Sequence, residues 1–490
     1  MSHDRAAAPR LLWAERAWVD GRWRDAALLE VDAGGHWADV QPDTAPPASA
    51  HRLGGPVLPS LVDAHSHAFQ RAFAGMAECL PEQASGSGDD FWSWRDRMYA
   101  VALRITPGQL RAVATQLYRE LLAGGYTQVC EFHYLHHAPD GQRHEDPAAM
   151  SLALVEAAAD AGIGLTLLPV LYERAGFTQP SLRPDQRRFR TDAADVLALV
   201  RAVHAARRTT AGGTAAAPLN TGVAIHSLRA ARPQSMRALV DAAGAEIGAH
   251  GPIHIHVAEQ TAEVEECLAV TGARPIEWLA REMPLDARWQ LVHATHAVPA
   301  EIEAVAASGA GVVLCPGTEG NLGDGLCDLT GWLNAQVPLT VGSDSQVTRA
   351  WPEELRWLEY GQRLAHRRRN VAAAAGREPS SAARLFERMC RGGAAAAGLP
   401  HWGLQRGARA DFVVLNLRSP PLAGVPQRHH LDAAVFSAGD SLFAQTWVAG
   451  RLACGPETTS EPLARAGATR PLSEPVGESF REAMQALWGR

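Results

Sequence analysis

Lysine is absent from all 490 residues, so each of the 46 basic side chains is an arginine. That absence excludes Schiff-base catalysis, a phosphate-loop lysine and any pair of metal ions bridged by a modified lysine. No CxxC spacing occurs, and the seven cysteines, an odd number, read as reduced thiols rather than a disulfide framework or a cysteine-type zinc site. No apolar run reaches the roughly 18 to 20 residues a membrane span needs. The N-terminus, MSHDRAAAPRLLWAERAW, lacks the charged-then-apolar order of a secretory signal, so a cytoplasmic address is expected. A basic field is missing too: a net charge of -7 and a pI near 6.3 argue against nucleic acid or an anionic membrane as the main partner. What is present, 47% apolar and 20% charged residues, fits a globular protein with a large core.

From residue 57 onward, short apolar runs alternate with amphipathic stretches, the pattern of repeated βα units and a parallel sheet. The runs are VLPSLVD (57–63), TQVCEF (127–132), GLTLLPV (164–170), GVAIHS (222–227), IHIHVAE (253–259), WQLVHA (289–294), AGVVLCP (310–316) and PLTVGSD (338–344). Helices are predicted between them at 107–125, 148–162, 195–208, 260–272 and 299–309. Eight such strands suit a closed (β/α)8 barrel of the TIM type better than the alternative, an open doubly wound sheet. LLWAERAWVDGRWRDAALLEVDAGG near the start, with ARADFVVLNL and FAQTWVAGRLA near the end, reads as strands and turns pairing into one small β-sandwich. The expected division is 1–56 and 405–490 for the small β-domain and 57–404 for the barrel. ASGSGDD (84–90) and RTTAGGTAAAPLNTG (208–222) read as loops.

In such a barrel, reactive groups belong at the C-terminal ends of the strands. LVDAHSHAFQ places His65 and His67 there, two residues apart and on one side of a strand. The fifth run carries His256 followed by Glu259, the sixth delivers His293 and the eighth stops at Asp344. A strand-end histidine or aspartate taken singly usually just satisfies backbone groups. Imidazoles and a carboxylate recurring at four strand ends make a divalent-metal site, most simply zinc, with iron or manganese as alternatives. Three segments stay open: EFHYLHH, whose His133, His136 and His137 shape a pocket or hold a second metal; GTEGNLGDG (317–325), expected to be a mobile loop; and Trp92 and Trp94, core or pocket wall.

This arrangement resembles the amidohydrolase superfamily, whose motifs run in the same order over essentially the whole chain: the HxH, the histidine of HVAEQ, the histidine of HATH and the aspartate of GSDS. Without lysine, the mononuclear deaminase branch is implied. Within it, HSHAFQRAFAGMAE, FWSWRDRMY, EFHYLHH, HSLRA, HIHVAEQ, HATH and GTEGNLGDG together resemble the N-formimino-L-glutamate deiminases of histidine breakdown. Gln346, in GSDSQ, departs from the histidine that many relatives of the superfamily carry. The resemblance implies one zinc ion per chain on His65, His67, His256 and Asp344, with Glu259, His293 and Asp344 as catalytic groups. It assigns Gln70, Arg95, Tyr134, His226 and Arg229 to substrate binding and suggests a homodimer. Two other readings stand beside it: a deaminase of the same superfamily acting on a guanidine, purine or pyrimidine, and a non-catalytic barrel, which should lack a complete ligand set.

Overall fold

The computed structural model describes residues 10–80, 91–210, 218–439, 441–455 and 477–489. Eight parallel strands follow one another around a barrel: Leu61–Ser66, Tyr126–His133, Gly164–Leu171, Val223–Ser227, Ile253–Val257, Trp289–His293, Gly311–Leu314 and Leu339–Val341. Each pairs with the next in sequence, as short strands separated by helices must when every crossover keeps one hand. The eighth meets the first through two backbone hydrogen bonds, from the Asp344 N–H to the His65 carbonyl at 2.9 Å and from the His67 N–H to the Asp344 carbonyl at 3.2 Å. Gly342 makes this closure possible, because a Cβ there would lie 2.6 Å from that of His65.

The helices cover the barrel with the apolar stripe their sequences lay out. Pro107–Ala123 starts from Thr106 and Gln109 in a reciprocal cap and buries Leu110, Val113, Ala114, Leu117 and Leu121, the spacing of one helical face. Each such leucine contributes roughly 1.5 to 3 kcal/mol on burial. Ala149–Ala161, Ala193–Thr210, Thr261–Thr271 and Pro299–Ser308 follow the same logic within a few residues of the expected bounds. Ser381–Ala396 runs against the barrel so closely that a Cβ on Gly392 would meet the Leu339 carbonyl.

The run at 57–63 is divided in the structure. Val57–Pro59 pairs antiparallel with Phe412–Leu415 in a second sheet, and only from Leu61 does the chain enter the barrel. That sheet orders Arg451–Cys454, Phe443–Val448, Phe412–Leu415, Val57–Pro59, Arg10–Val19, Arg22–Val31 and Trp37–Gln41, so both ends of the chain build the small β-domain. Its first hairpin turns through Asp20 and Gly21, both at positive φ as a two-residue turn requires. Its own core holds Trp37, Phe412 and Trp447, the last two stacked at 5.3 Å. Of the expected loops, 84–90 and 211–217 lie outside the described residues, while 208–210 end a helix and Leu219–Thr221 pairs beside the third barrel strand.

Candidate active site

Barrel closure builds the site, because it sets the C-terminal end of the first strand against the residues that follow the eighth. His65 Nε2 and His67 Nε2 each lie 3.4 Å from Asp344 Oδ1. The fifth strand brings His256 Nε2 to 3.0 Å from His65 Nε2, and the sixth brings His293 Nε2 to 3.9 Å from both Asp344 Oδ2 and Glu259 Oε1. The fifth strand carries two histidines on the same face. His254 sits one layer deeper, with Nε2 on the Ala396 carbonyl at 2.9 Å, and only His256 reaches the cluster.

Tautomers follow from what the other ring nitrogen meets. His67 Nδ1 lies 2.9 Å from the Phe132 carbonyl and His256 Nδ1 lies 2.9 Å from the His226 carbonyl; a carbonyl can only accept, so both Nδ1 atoms donate and both Nε2 atoms keep a bare lone pair. Burial lowers the pKa of His65 to about 3, and it also lowers those of His67 and His256, leaving neutral rings. Burial alone would raise Asp344, but the hydrogen bond from His65 and the neighbouring imidazoles hold it below the ordinary carboxylate range. Three neutral imidazoles and an ionised carboxylate are the donor set a divalent cation takes, and the groups His65–His67–His256 and His65–His293–Asp344 can each hold one.

Backbone strain concentrates here. Ala258, His293, Ala294, Asp344 and Gln346, none of them glycine, hold φ between 49° and 70°. This left-handed conformation turns the chain sharply at the ends of the fifth, sixth and eighth strands and persists only where surroundings enforce it. Gln346 is part of that enforcement: its side-chain amide donates to the Asp344 carbonyl at 2.8 Å and to Ser66 Oγ at 3.0 Å, and its oxygen accepts from Ser343 Oγ at 3.0 Å. The residue that departs from the superfamily pattern is a buried strut behind Asp344.

GTEGNLGDG is not a loop for most of its length. Pro316–Leu322 is helical because Pro316 occupies its first turn, Glu319 accepts the Cys315 N–H at 2.9 Å and Glu354 accepts the Gly317 N–H at 2.9 Å. The same Glu319 oxygen lies 3.3 Å from His293 Nδ1, so it orients that ring with Nε2 toward Glu259 and Asp344. Sequence reading missed Glu319; the signal available was a carboxylate three residues after a proline at the exit of the seventh strand.

Glu259 is buried, with its N–H donating to Glu263 at 3.1 Å. The helix cap is Gln260, so Glu259 is no capping carboxylate. Burial pushes its pKa up to about 7, with the Asp344 and Glu263 carboxylates adding to the rise and His293 and Arg229 opposing it. One cavity is lined by His67, His256, Glu259, His293 and Asp344. The same cavity is lined by Gln70, Arg95, Tyr134, His226 and Arg229, gathered from four separate stretches of chain. Gln70 Nε2 donates to the Tyr134 hydroxyl at 3.2 Å, which leaves Gln70 Oε1 as a buried acceptor. Trp94 is a wall of the cavity, whereas the side chain of Trp92 lies outside the described residues. His133, His136 and His137 join no three-ligand group among the described residues; the backbone N–H groups of His136 and His137 and the ring of His137 hold the segment Arg188–Arg190.

A parallel barrel with imidazoles and carboxylates at the C-terminal rim is the architecture of a barrel hydrolase. The profile of the amidohydrolase family matches residues 57–453, and the chain belongs to that family. Among curated relatives, the formimidoylglutamate deiminase of Pseudomonas aeruginosa is 44% identical over 440 residues, covering 90% of this chain and 93% of that protein. The 5-methylthioadenosine/S-adenosylhomocysteine deaminase of Natronomonas pharaonis is 26% identical over 366 residues, or 75% of this chain and 74% of that one. The crystal structure of an amidohydrolase from Brucella melitensis superimposes with a TM-score of 0.85 at 37% identity, covering 98% of this chain and 99% of that one.

Proposed function

We propose that the chain hydrolyses N-formimino-L-glutamate to N-formyl-L-glutamate, water adding at the formimino carbon and ammonia leaving. The observation that carries this reading is the meeting in one cavity of a three-imidazole, one-carboxylate cluster with Glu259 and two arginines. The 44% identity to the Pseudomonas deiminase supports it. A formimino group is an amidinium, so its N–H groups suit Gln70 Oε1 and the ionised carboxylate of Asp344. Arg95 and Arg229 suit the two carboxylates of the glutamate, since a guanidinium fork grips a carboxylate through paired hydrogen bonds.

His65, His67, His256 and Asp344 would hold one divalent ion, zinc by donor type, which would supply Lewis-acid activation of water at neutral pH. Glu259 takes a proton from the attacking water and returns it to the departing nitrogen, and a pKa near 7 suits both halves of that exchange. Burial would lower His293, but the Glu259, Glu319 and Asp344 carboxylates raise its pKa to about 10, so the ring is protonated on both nitrogens: Nδ1 donates to Glu319 and Nε2 donates to the oxygen that becomes the formyl carbonyl. No described helix is long and apolar enough to cross a membrane, and no disulfide forms among the described cysteines, six of which are buried, which fits a reducing cytoplasmic setting.

The direct test is ammonia release from a panel of formimino-amino acids, guanidines and nucleobases; turnover confined to guanidines or nucleobases would overturn the assignment. Elemental analysis is expected to return about one equivalent of metal per chain, the amount a single tetrahedral donor set holds. His65→Ala is expected to lose both metal and turnover, and full metal occupancy in that variant would remove His65 from the ligand set. Glu319→Ala is expected to lower kcat by about 10- to 100-fold. Glu319→Gln, which keeps an acceptor for His293 Nδ1 and the Cys315 N–H, should recover most of that loss; equal losses in both would make charge rather than orientation the role of Glu319.

A further inference from the structure

The cavity carries a pair of phenols outside the residues assigned above. Tyr99 lies on the helix Phe91–Ala102, and Tyr172 lies one residue past the third barrel strand. We propose that Tyr99 and Tyr172, their hydroxyls set by the buried amide of Gln186, form a neutral hydrogen-bond donor for a carboxylate of the substrate and select for dicarboxylic amidines. The proposal rests on the reading of the cavity as a pocket for N-formimino-L-glutamate.

Donors outnumber acceptors around the two phenols. Gln186 is buried, and its Oε1 accepts the backbone N–H of Arg183 at 3.0 Å. A backbone N–H cannot accept, so the amide has one orientation, with Nε2 toward the phenols: 3.0 Å from the Tyr172 oxygen and 3.5 Å from the Tyr99 oxygen. Each phenol oxygen therefore receives a hydrogen bond, and neither O–H is spent on Gln186. If one hydroxyl donates to the other, one O–H is still left over, and both residues line the cavity. An O–H buried with no acceptor costs free energy, which an incoming carboxylate oxygen would recover.

The surroundings keep the Tyr172 hydroxyl neutral and hold both rings in place. Burial raises the Tyr172 hydroxyl far above the ordinary phenol range and Tyr99 adds to the rise, outweighing the pull of Arg229 and Arg95 in the other direction. The Tyr172 ring lies 4.4 Å from that of His226, and Phe189 packs 5.5 Å from both phenols. The guanidinium groups of Arg95 and Arg183 each stand 5.7 Å from the Tyr99 ring. With two arginines already lining the cavity, a third buried cation would add repulsion and desolvation cost, whereas a phenol adds a hydrogen bond and no charge.

The test uses the full chain with Tyr172→Phe and Tyr99→Phe, each removing one oxygen. Steady-state kinetics would be run on N-formimino-L-glutamate and on formamidine, alongside calorimetric binding of N-formyl-L-glutamate. Tyr172→Phe is expected to raise KM and Kd for the two dicarboxylates by about tenfold while kcat and the formamidine kcat/KM stay within about threefold. Dicarboxylate KM and Kd within about twofold of the parent in both variants would overturn the proposal, as would an equal loss with formamidine, which marks a merely structural role. A parent enzyme that binds N-formyl-L-glutamate, and does so more tightly than Tyr172→Phe, yet never turns over N-formimino-L-glutamate would sink the proposed reaction and leave the phenol pair standing. A parent that binds no dicarboxylate would sink the phenol pair as well.

Discussion

Glu259→Gln is expected to keep its metal and lose most of kcat, by about 10²- to 10⁴-fold. The amide matches the carboxylate in shape, so the buried seat beside Glu263 and 3.9 Å from His293 should be kept. What disappears is the capacity to accept a proton from water and pass it to ammonia. That capacity is unusually well matched to neutral pH here, because burial lifts the carboxyl to about 7 and so lowers the penalty of both protonation and release. The measurements are steady-state kcat and metal content of the same preparation. Near-normal turnover would move proton transfer to another group in the cavity, with His293 and Asp344 the next candidates.

Arg229→Met and Arg95→Met are expected to raise KM for N-formimino-L-glutamate steeply with metal content unchanged, at a cost of about 2 to 5 kcal/mol in kcat/KM where a buried carboxylate loses its partner. Methionine keeps the length and apolar stem of arginine and removes the fork, so packing against the cavity wall changes little. The two arginines come from distant places, the helix Phe91–Ala102 and the exit of the fourth barrel strand, and line the cavity together. A small formamidine, having no carboxylate, should be turned over equally by parent and variants. If both variants kept the parent kcat/KM for the glutamate substrate, the dicarboxylate pocket would be abandoned in favour of a guanidine or nucleobase substrate.

Much of the site could be read along the chain because its chemistry is written at strand ends, where an apolar run stops on a histidine or aspartate. His65, His67, His256, His293 and Asp344 all announce themselves this way. Residues that act from other positions were not legible. Glu319 sits in a glycine-rich stretch that imitates a loop, and its helix depends on an acceptor 35 residues beyond it, Glu354, which no local pattern reveals. Tyr172 follows a strand that ends in neither imidazole nor carboxylate, and its partner Gln186 gives no signal at all until both are seen against Tyr99. The run at 57–63 looked like one strand because apolar periodicity carries no record of which sheet a residue joins, and the chain changes sheet at Ser60.

The sequence by itself determined the alternation of strand and helix, the family, the donor types at the strand ends and, through the missing lysine, the chemistries that are excluded. These are local properties: they depend on side-chain period and residue type, both of which a linear string records. Only the tertiary structure decided that the sheet closes at Gly342, that His254 is spent on the Ala396 carbonyl and that Gln346 braces Asp344. It also decided that Gln70, Arg95, Tyr134, His226 and Arg229 face one cavity. Those outcomes turn on which residues the closing of the barrel brings within a few ångströms, and contact between residues some 280 positions apart, such as His65 and Asp344, is a property of strand pairing that neither segment encodes alone.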